Sequence, residues 1–416
     1  MNTTMVKVAL RLSTLAVLAF ATILFSSPCV LAQQQKSDWM PRFNTILGTQ
    51  AIGGRYHFTK EAPLVEAARA ILGMGSNTLK FSLAAEKSDG VEPKSLAEIV
   101  LRSKSIQTVL GMPFAYYLFW AYPISTSADR FQPASLPNEY KEMYALTRTL
   151  LQAYAGTGKI FYLGNWEGDW HLTHEDPNYA PTEQEVLNMI AWVKIRQKAV
   201  DDAKHDTPHS GVQLFYYLEV NRVVDAMQGK VRMANAVLPK TPVDFVSYSS
   251  YDSLSGDIGA NLQKSLDYLQ ANLPAKPGIS GKRVFIGEYG FAAHGITPEE
   301  QDARTRQVMR AGLKWGCPFV LYWEMYNNEV GKSGEQNGFW LIDDHNTKQP
   351  VYFTHQRFYR QAQEYLASFQ KSHGRAPTPE EFSRSATPWL TRKSAPIADD
   401  LHERNLGFFT SARKPS

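Results

Sequence analysis

The chain has 416 residues, of which 44% are apolar and 20% charged, with 27 Gly and 23 Pro. That balance excludes a chain disordered over its whole length, and a collagen-like or low-complexity fibre. Lysine and arginine number 44 against 40 acidic residues, a net charge of +4, and no basic run is dense enough for a nucleic-acid footprint.

Residues 1–32 read as a secretory signal, which predicts a secreted or periplasmic protein. Lys7 and Arg11 supply the positive start. Leu12 to Phe25 is apolar apart from Ser13, Thr14 and Thr22, and Val30-Leu31-Ala32 offers small or short residues before a cut. An uncleaved membrane anchor is the competing reading. The apolar run of 14 residues is short for one, since a spanning helix needs about 20. Removal of 1–32 takes Cys29 with it and leaves Cys317 alone, so no internal disulfide is expected.

The rest of the chain alternates short apolar runs with amphipathic stretches. Strands are predicted at Thr45–Gly48, Thr78–Leu83, Gln107–Met112, Ile160–Gly164, Gln213–Leu218, Asp244–Ser249, Val284–Gly287 and Phe319–Trp323. Helices are predicted between them at Ala62–Met74, Glu139–Tyr154, Thr182–His205, Arg222–Val237, Ile258–Leu273 and Pro298–Trp315. A further periodic stretch, Val351–Phe369, follows the last strand. Thr182 three residues before Glu185 makes a capping box, and Thr297-Pro298-Glu299-Glu300 places a cap, a first-turn proline and two acids at a helix start.

Strand–helix alternation implies a parallel sheet. Eight such units fit an α/β fold of the closed (β/α)8 TIM-barrel type, which takes roughly 250 residues or more. The open doubly wound alternative is disfavoured, because Gly48-Thr49-Gln50-Ala51-Ile52-Gly53-Gly54 lacks the Gly-rich phosphate-loop spacing. The expected organisation is a signal at 1–32, a barrel at 33–369 and a proline-containing C-terminal tail at 370–416.

In a barrel, chemistry gathers at the C-terminal strand ends. Strand four runs into Gly164-Asn165-Trp166-Glu167-Gly168-Asp169-Trp170, and strand seven into Gly287-Glu288-Tyr289-Gly290. These two strands lie across the mouth from each other, so Glu167 and Glu288 are expected to face one pocket. Two carboxyls of this kind suit glycoside hydrolysis, one as proton donor and one as nucleophile, held about 5–5.5 Å apart when configuration is retained. Aromatic residues around the mouth would give sugars a flat apolar face.

On these residues the chain resembles the clan A retaining (β/α)8 glycoside hydrolases over roughly residues 42–368. Gly287-Glu288-Tyr289-Gly290 is similar to the clan's nucleophile motif, and Tyr322-Trp323-Glu324 to its strand-eight tryptophan. Gly338-Phe339-Trp340-Leu341-Ile342-Asp343, with Lys348-Gln349-Pro350-Val351-Tyr352, resembles its run from the last loop into the last helix. The resemblance implies Glu167 as acid/base, Glu288 as nucleophile, Trp323 as the floor beneath the cleaved sugar and Tyr248 as a hydrogen-bond partner of the nucleophile. It implies a carbohydrate substrate, β-linked in most of the clan. Two positions depart from the pattern. Trp166 separates Asn165 from Glu167, where the clan has asparagine directly before the acid/base. Lys80 stands near the end of strand two, where arginine is common, and supplies charge without arginine's bidentate fork.

Other residues carry open alternatives. Glu219 either lines the pocket or pairs with Arg222, and Glu324 faces either the pocket or the helices. Trp120, Trp166, Trp170 and Trp340 serve as sugar platforms or as loop packing, and Asn327-Asn328-Glu329 is polar enough to bind hydroxyls. Asp169, His171, His174 and Asp176 concentrate potential metal ligands, but their spacing is not that of the zinc-protease helix motifs, so a polar pocket rim is the expectation and no metal or cofactor is. There is no G-x-S-x-G nucleophile turn, and Cys317 begins strand eight, on the barrel's stability face. A non-hydrolytic carbohydrate-binding protein on the same barrel is the alternative to the hydrolase.

Overall fold

The computed structural model describes residues 46–126 and 130–391. The predicted signal at 1–32 lies outside the described residues, as does the end of the predicted tail.

Eight parallel strands close into a barrel in sequence order. They are β1 (Leu47–Ala51), β2 (Thr78–Ser82), β3 (Tyr116–Trp120), β4 (Ile160–Gly164), β5 (Gln213–Val220), β6 (Phe245–Ser249), β7 (Val284–Tyr289) and β8 (Val320–Tyr322). Helices α1 (Pro63–Met74), α2 (Leu96–Arg102), α3 (Lys104–Gly111), α4 (Leu136–Ala153), α5 (Gly168–Leu172) and α6 (Glu183–Asp206) accompany the first half. Helices α7 (Val223–Met227), α8 (Ile258–Asn272), α9 (Pro298–Trp315), α10 (Pro350–His373) and α11 (Pro379–Ala386) accompany the second.

The third strand lies later than the sequence pattern suggested. Gln107–Met112 falls in and just after α3, where the Ser103 side chain accepts from the Ile106 N–H and caps the helix. Its buried residues Ser105, Ile106, Val109 and Leu110 follow a helical period, so the apolar positions at 106, 109 and 110 belong to one helix face. The true strand is the wholly buried Tyr116–Trp120. The helix expected over Arg222–Val237 is broken: α7 ends at Met227, Gly229 takes φ 89°, and a π-helical turn covers Met233–Val237. The capping box expected at Thr182 is formed, and a second forms at Thr378.

The barrel interior is filled by stacked side chains. Tyr116, Tyr162, Phe215, Phe245, Phe285 and Phe319 form a layer of tilted and edge-to-face rings beneath the mouth. Two glycines make room above it. A Cβ on Gly164 would lie 2.2 Å from the Tyr217 ring, and one on Gly287 would lie 1.7 Å from Ser247 Oγ. Residues 370–391, expected as part of a tail, continue α10 to His373 and then form α11, which docks on the barrel's helices. Phe382 meets Phe358, and Ser383 Oγ donates to the Leu313 carbonyl at 2.7 Å.

Candidate active site

A cavity of about 610 Å³ opens at the C-terminal ends of the strands, lined by residues that include Glu167, Glu288, Trp120, Trp166, Trp170 and Trp323. Glu288 belongs to β7 itself, and Ser249 of β6 pairs with it just past a shift in the β6–β7 register. Glu167 stands between β4 and α5. The two carboxyls expected to work together therefore reach one space. Trp120 approaches Trp323 with ring centroids 5.9 Å apart and Trp166 at 6.3 Å, giving the cavity a continuous aromatic wall. Trp323 Nε1 donates to Glu329 at 3.2 Å, and Glu329 and Asn328 also line the cavity.

Beneath the cavity lies a buried ion pair. Lys80 Nζ on β2 is 2.6 Å from Glu219 Oε2 on β5, donates to the Gly287 carbonyl at 3.0 Å, and stands 3.9 Å from Glu288 Oε2. Glu219 uses both oxygens. Oε2 also accepts from Ser247 Oγ at 2.7 Å, and Oε1 accepts from Trp120 Nε1 and the Glu167 N–H, each at 3.2 Å. Glu219 thus neither lines the cavity nor pairs with Arg222, which bonds Asp225 instead. Glu219 holds Lys80, Trp120 and the Glu167 backbone at once. Lys80 likewise sits below the cavity, behind Glu288, and not in its lining.

The two catalytic candidates are tuned against each other. Burial raises the Glu167 carboxyl to about 7, and the charge of Glu219 pushes the same way; hydrogen bonds from Ser249 Oγ and Trp170 oppose this. Asn221 Nδ2 donates to Glu167 Oε2 at 3.2 Å. Burial also raises Glu288, with the charge of Glu167 as the next cause, opposed by Lys80 and the Tyr251 hydroxyl. Like charges in one dry space resist joint ionisation, so the pair keeps a proton near neutrality. Lys80 and Tyr251 limit that rise on Glu288 without reversing it.

Several expected sugar contacts are placed elsewhere. Tyr248 turns outward between Ser247 and Ser249, whose hydroxyls reach Glu219 and Glu167 inside the barrel. The alternation of strand side chains gives the tyrosine the opposite face, where its hydroxyl bonds Asp252 and Ser253. Tyr251, just past β6, takes the role of hydrogen-bond partner to Glu288. Asn165 accepts from the Glu219 N–H at 3.2 Å and donates to the Glu219 carbonyl at 3.1 Å, so it ties β4 to β5 below the cavity. Trp340 is half-buried outside the cavity lining, and its carbonyl accepts from Tyr322 at 3.3 Å. Glu324 turns to β1, accepting from the Ile52 N–H at 2.9 Å, rather than to the helices. Asn327 braces its own loop by accepting from Gly338 and Phe339.

The four potential metal ligands are each engaged by separate partners. Asp169 accepts the N–H groups of Asn221 and Met233, and His171 meets the Tyr122 hydroxyl at 3.0 Å. His174 pairs with Glu185 at 2.7 Å, and Asp176 accepts from Asn178. Burial and the nearby Arg130 and Arg196 lower His171 to about 4, which keeps the ring neutral.

Replacing Glu219 with glutamine removes a negative charge that raises Glu167, while keeping the side chain's shape. The alkaline limb of the pH–rate profile is expected to move down by roughly one unit. A profile that does not move, measured as kcat/KM from pH 4 to 9, contradicts this coupling.

No protein-family model matches the sequence, and no curated protein matches it. Solved structures do match. A GH5_18 protein from Bifidobacterium longum subsp. infantis is 16% identical, with 76% of this chain and 78% of that one covered at a TM-score of 0.51. An exo-β-1,4-mannosidase from an Opitutaceae bacterium, strain TAV5, is 13% identical, with 82% and 66% covered at 0.53. A variant of the GH5_18 protein of Streptomyces cattleya, in complex with Manβ1-4GlcNAc, is 10% identical, with 82% and 87% covered at 0.52. The fold is the closed (β/α)8 barrel that these structures share. At these identities the likeness is one of architecture, and what the cavity does is argued from its own residues.

Proposed function

We propose that the protein is a glycoside hydrolase that cleaves β-linked glycans by a retaining double displacement. The observation that carries this reading is the placement of Glu167 and Glu288, from β4 and β7, in one tryptophan-walled cavity where burial and mutual charge hold a proton on the pair. Protonated Glu167 gives its proton to the glycosidic oxygen as that bond breaks, while ionised Glu288 attacks the anomeric carbon and forms a glycosyl ester. Glu167, now ionised, takes a proton from water, and the resulting attack releases the sugar and frees Glu288. Trp323 and Trp120 offer the faces on which a pyranose ring would stack. The hydrolases among the structural relatives support the class, and the mannosidase and the Manβ1-4GlcNAc complex support testing β-mannosides first. The proposed signal at 1–32 would deliver the enzyme to glycans outside the cytoplasm.

The non-hydrolytic reading draws on Asn165, which the barrel wall holds away from the cavity. One experiment separates the two. The mature chain is incubated with a panel of β-linked oligo- and polysaccharides, and the first-formed anomer is read by NMR. Hydrolysis with the β-anomer appearing first supports the proposal. The α-anomer first would point to inversion, and binding without cleavage at any pH would favour the carbohydrate-binding alternative.

A further inference from the structure

Three cavities at the barrel mouth share walls. The central one holds Glu167 and Glu288. A second, of about 350 Å³, lies between the ends of β1, β2 and β8 and the first turn of α1, where the small residues Gly53, Ala84 and Ala85 stand beside Glu324 and Tyr326. A third, of about 430 Å³, lies between α5, the first turns of α6 and Gln132, with His174 and Asn188 in its lining. Each is on the scale of small-molecule sites, roughly 300 Å³ and upward. Ile52 lines both the second and the central cavity, and Trp170 lines both the central and the third. The consecutive residues Trp323 and Glu324 face the central and the second cavity respectively.

The chemistry gives this line of cavities a direction. The proton donor sits on the leaving-group side, so the leaving group would lie toward β4, Trp170 and the third cavity. The anomeric carbon taken by Glu288 belongs to the retained part, which would continue over Trp323 and Ile52 into the second cavity. We infer that the substrate is a chain of sugars lying across the mouth through all three cavities and cut internally, not a terminal unit held in a closed pit. This rests on the hydrolase reading above. The small residues of the second cavity are consistent with it, since bulky side chains there would end the cleft at Ile52. Arg222 lies 5.4 Å from the Trp170 ring and steadies it as the wall between the central and third cavities.

The test uses β-1,4-mannan, β-1,4-glucan and β-1,3-glucan oligomers of two to six units, fluorescently labelled at the reducing end, with the matching aryl monoglycosides. Internal cleavage is expected, with kcat/KM rising at least tenfold from disaccharide to pentasaccharide. Ala85→Trp, which fills the second cavity, should lower the pentasaccharide-to-monoglycoside ratio of kcat/KM at least tenfold. Gln132→Trp, on the exposed wall of the third, should lower the same ratio and keeps the test open if the first variant misfolds. Release of single units from one end, with kcat/KM flat beyond the disaccharide, overturns the inference and leaves the hydrolase reading standing. Ratios unmoved in both folded variants overturn it equally. Failure to cleave any probe overturns the hydrolase reading, and this inference with it.

Discussion

The Glu288→Gln variant is expected to lose turnover by about 10⁴-fold or more while still binding glycan. Glutamine fills the same space beside Ser249 and Tyr251 but cannot form the glycosyl ester. Binding would survive because the surfaces available to sugar, Trp323, Trp120 and Glu329, are untouched. Lys80 would then be left facing a neutral amide at a distance of about 3.9 Å in the unaltered protein, still paired with Glu219, so the ion pair beneath the site remains satisfied. The check is twofold: initial rates on the cleaved glycan, and intact mass after a 2-fluoro glycosyl fluoride, which should label the parent chain and not the variant. A variant that turns over like the parent removes Glu288 from the mechanism.

The barrel, and the convergence of Glu167 and Glu288 on one cavity, were legible because strand-end positions are written locally. An apolar run that stops at a glutamate, as at Ile286-Gly287-Glu288, needs no tertiary knowledge to be noticed. Which face a residue presents is harder to read. Tyr248 and Tyr251 stand three apart, and only the register of β6, with Ser247 and Ser249 inward, sends the first to the helices and leaves the second for Glu288. Asn165 shows the same limit: its position one residue before Trp166-Glu167 leaves a sugar contact open, and only the fold reveals that its partner is the backbone of residue 219, on the next strand. The third strand was missed because a four-residue apolar spacing in α3 mimics a short buried strand until Ser103 is recognised as a cap. Glu219 carried no local signal. Its importance comes from meeting Lys80, Trp120, Ser247 and the Glu167 N–H together, from strands or strand ends far apart in sequence.

Replacing Glu167 with alanine should cost about 10²–10⁴-fold on substrates with poor leaving groups, the usual worth of a positioned general acid. On aryl glycosides whose phenol leaves without help, the loss in the first step should be smaller, and the ester on Glu288 should then accumulate, seen as a burst of phenol. The pH dependence follows from burial. With Glu167 held at about 7, activity of the parent should fall as pH rises through that value, because the donor loses its proton. The variant's profile should lose this alkaline limb. The same shift acts on stability with a definite sign. An unfolded glutamate titrates near about 4.3, so the raised folded value favours the protonated native state. The stabilisation is fully present below about pH 4 and is lost as pH climbs through about 7. Glu167→Gln, which cannot ionise, should therefore gain thermal stability relative to the parent between pH 5 and 8, and little below pH 4. Melting curves of both proteins across that range decide the matter, and parallel curves would mean that Glu167 is not a buried acid.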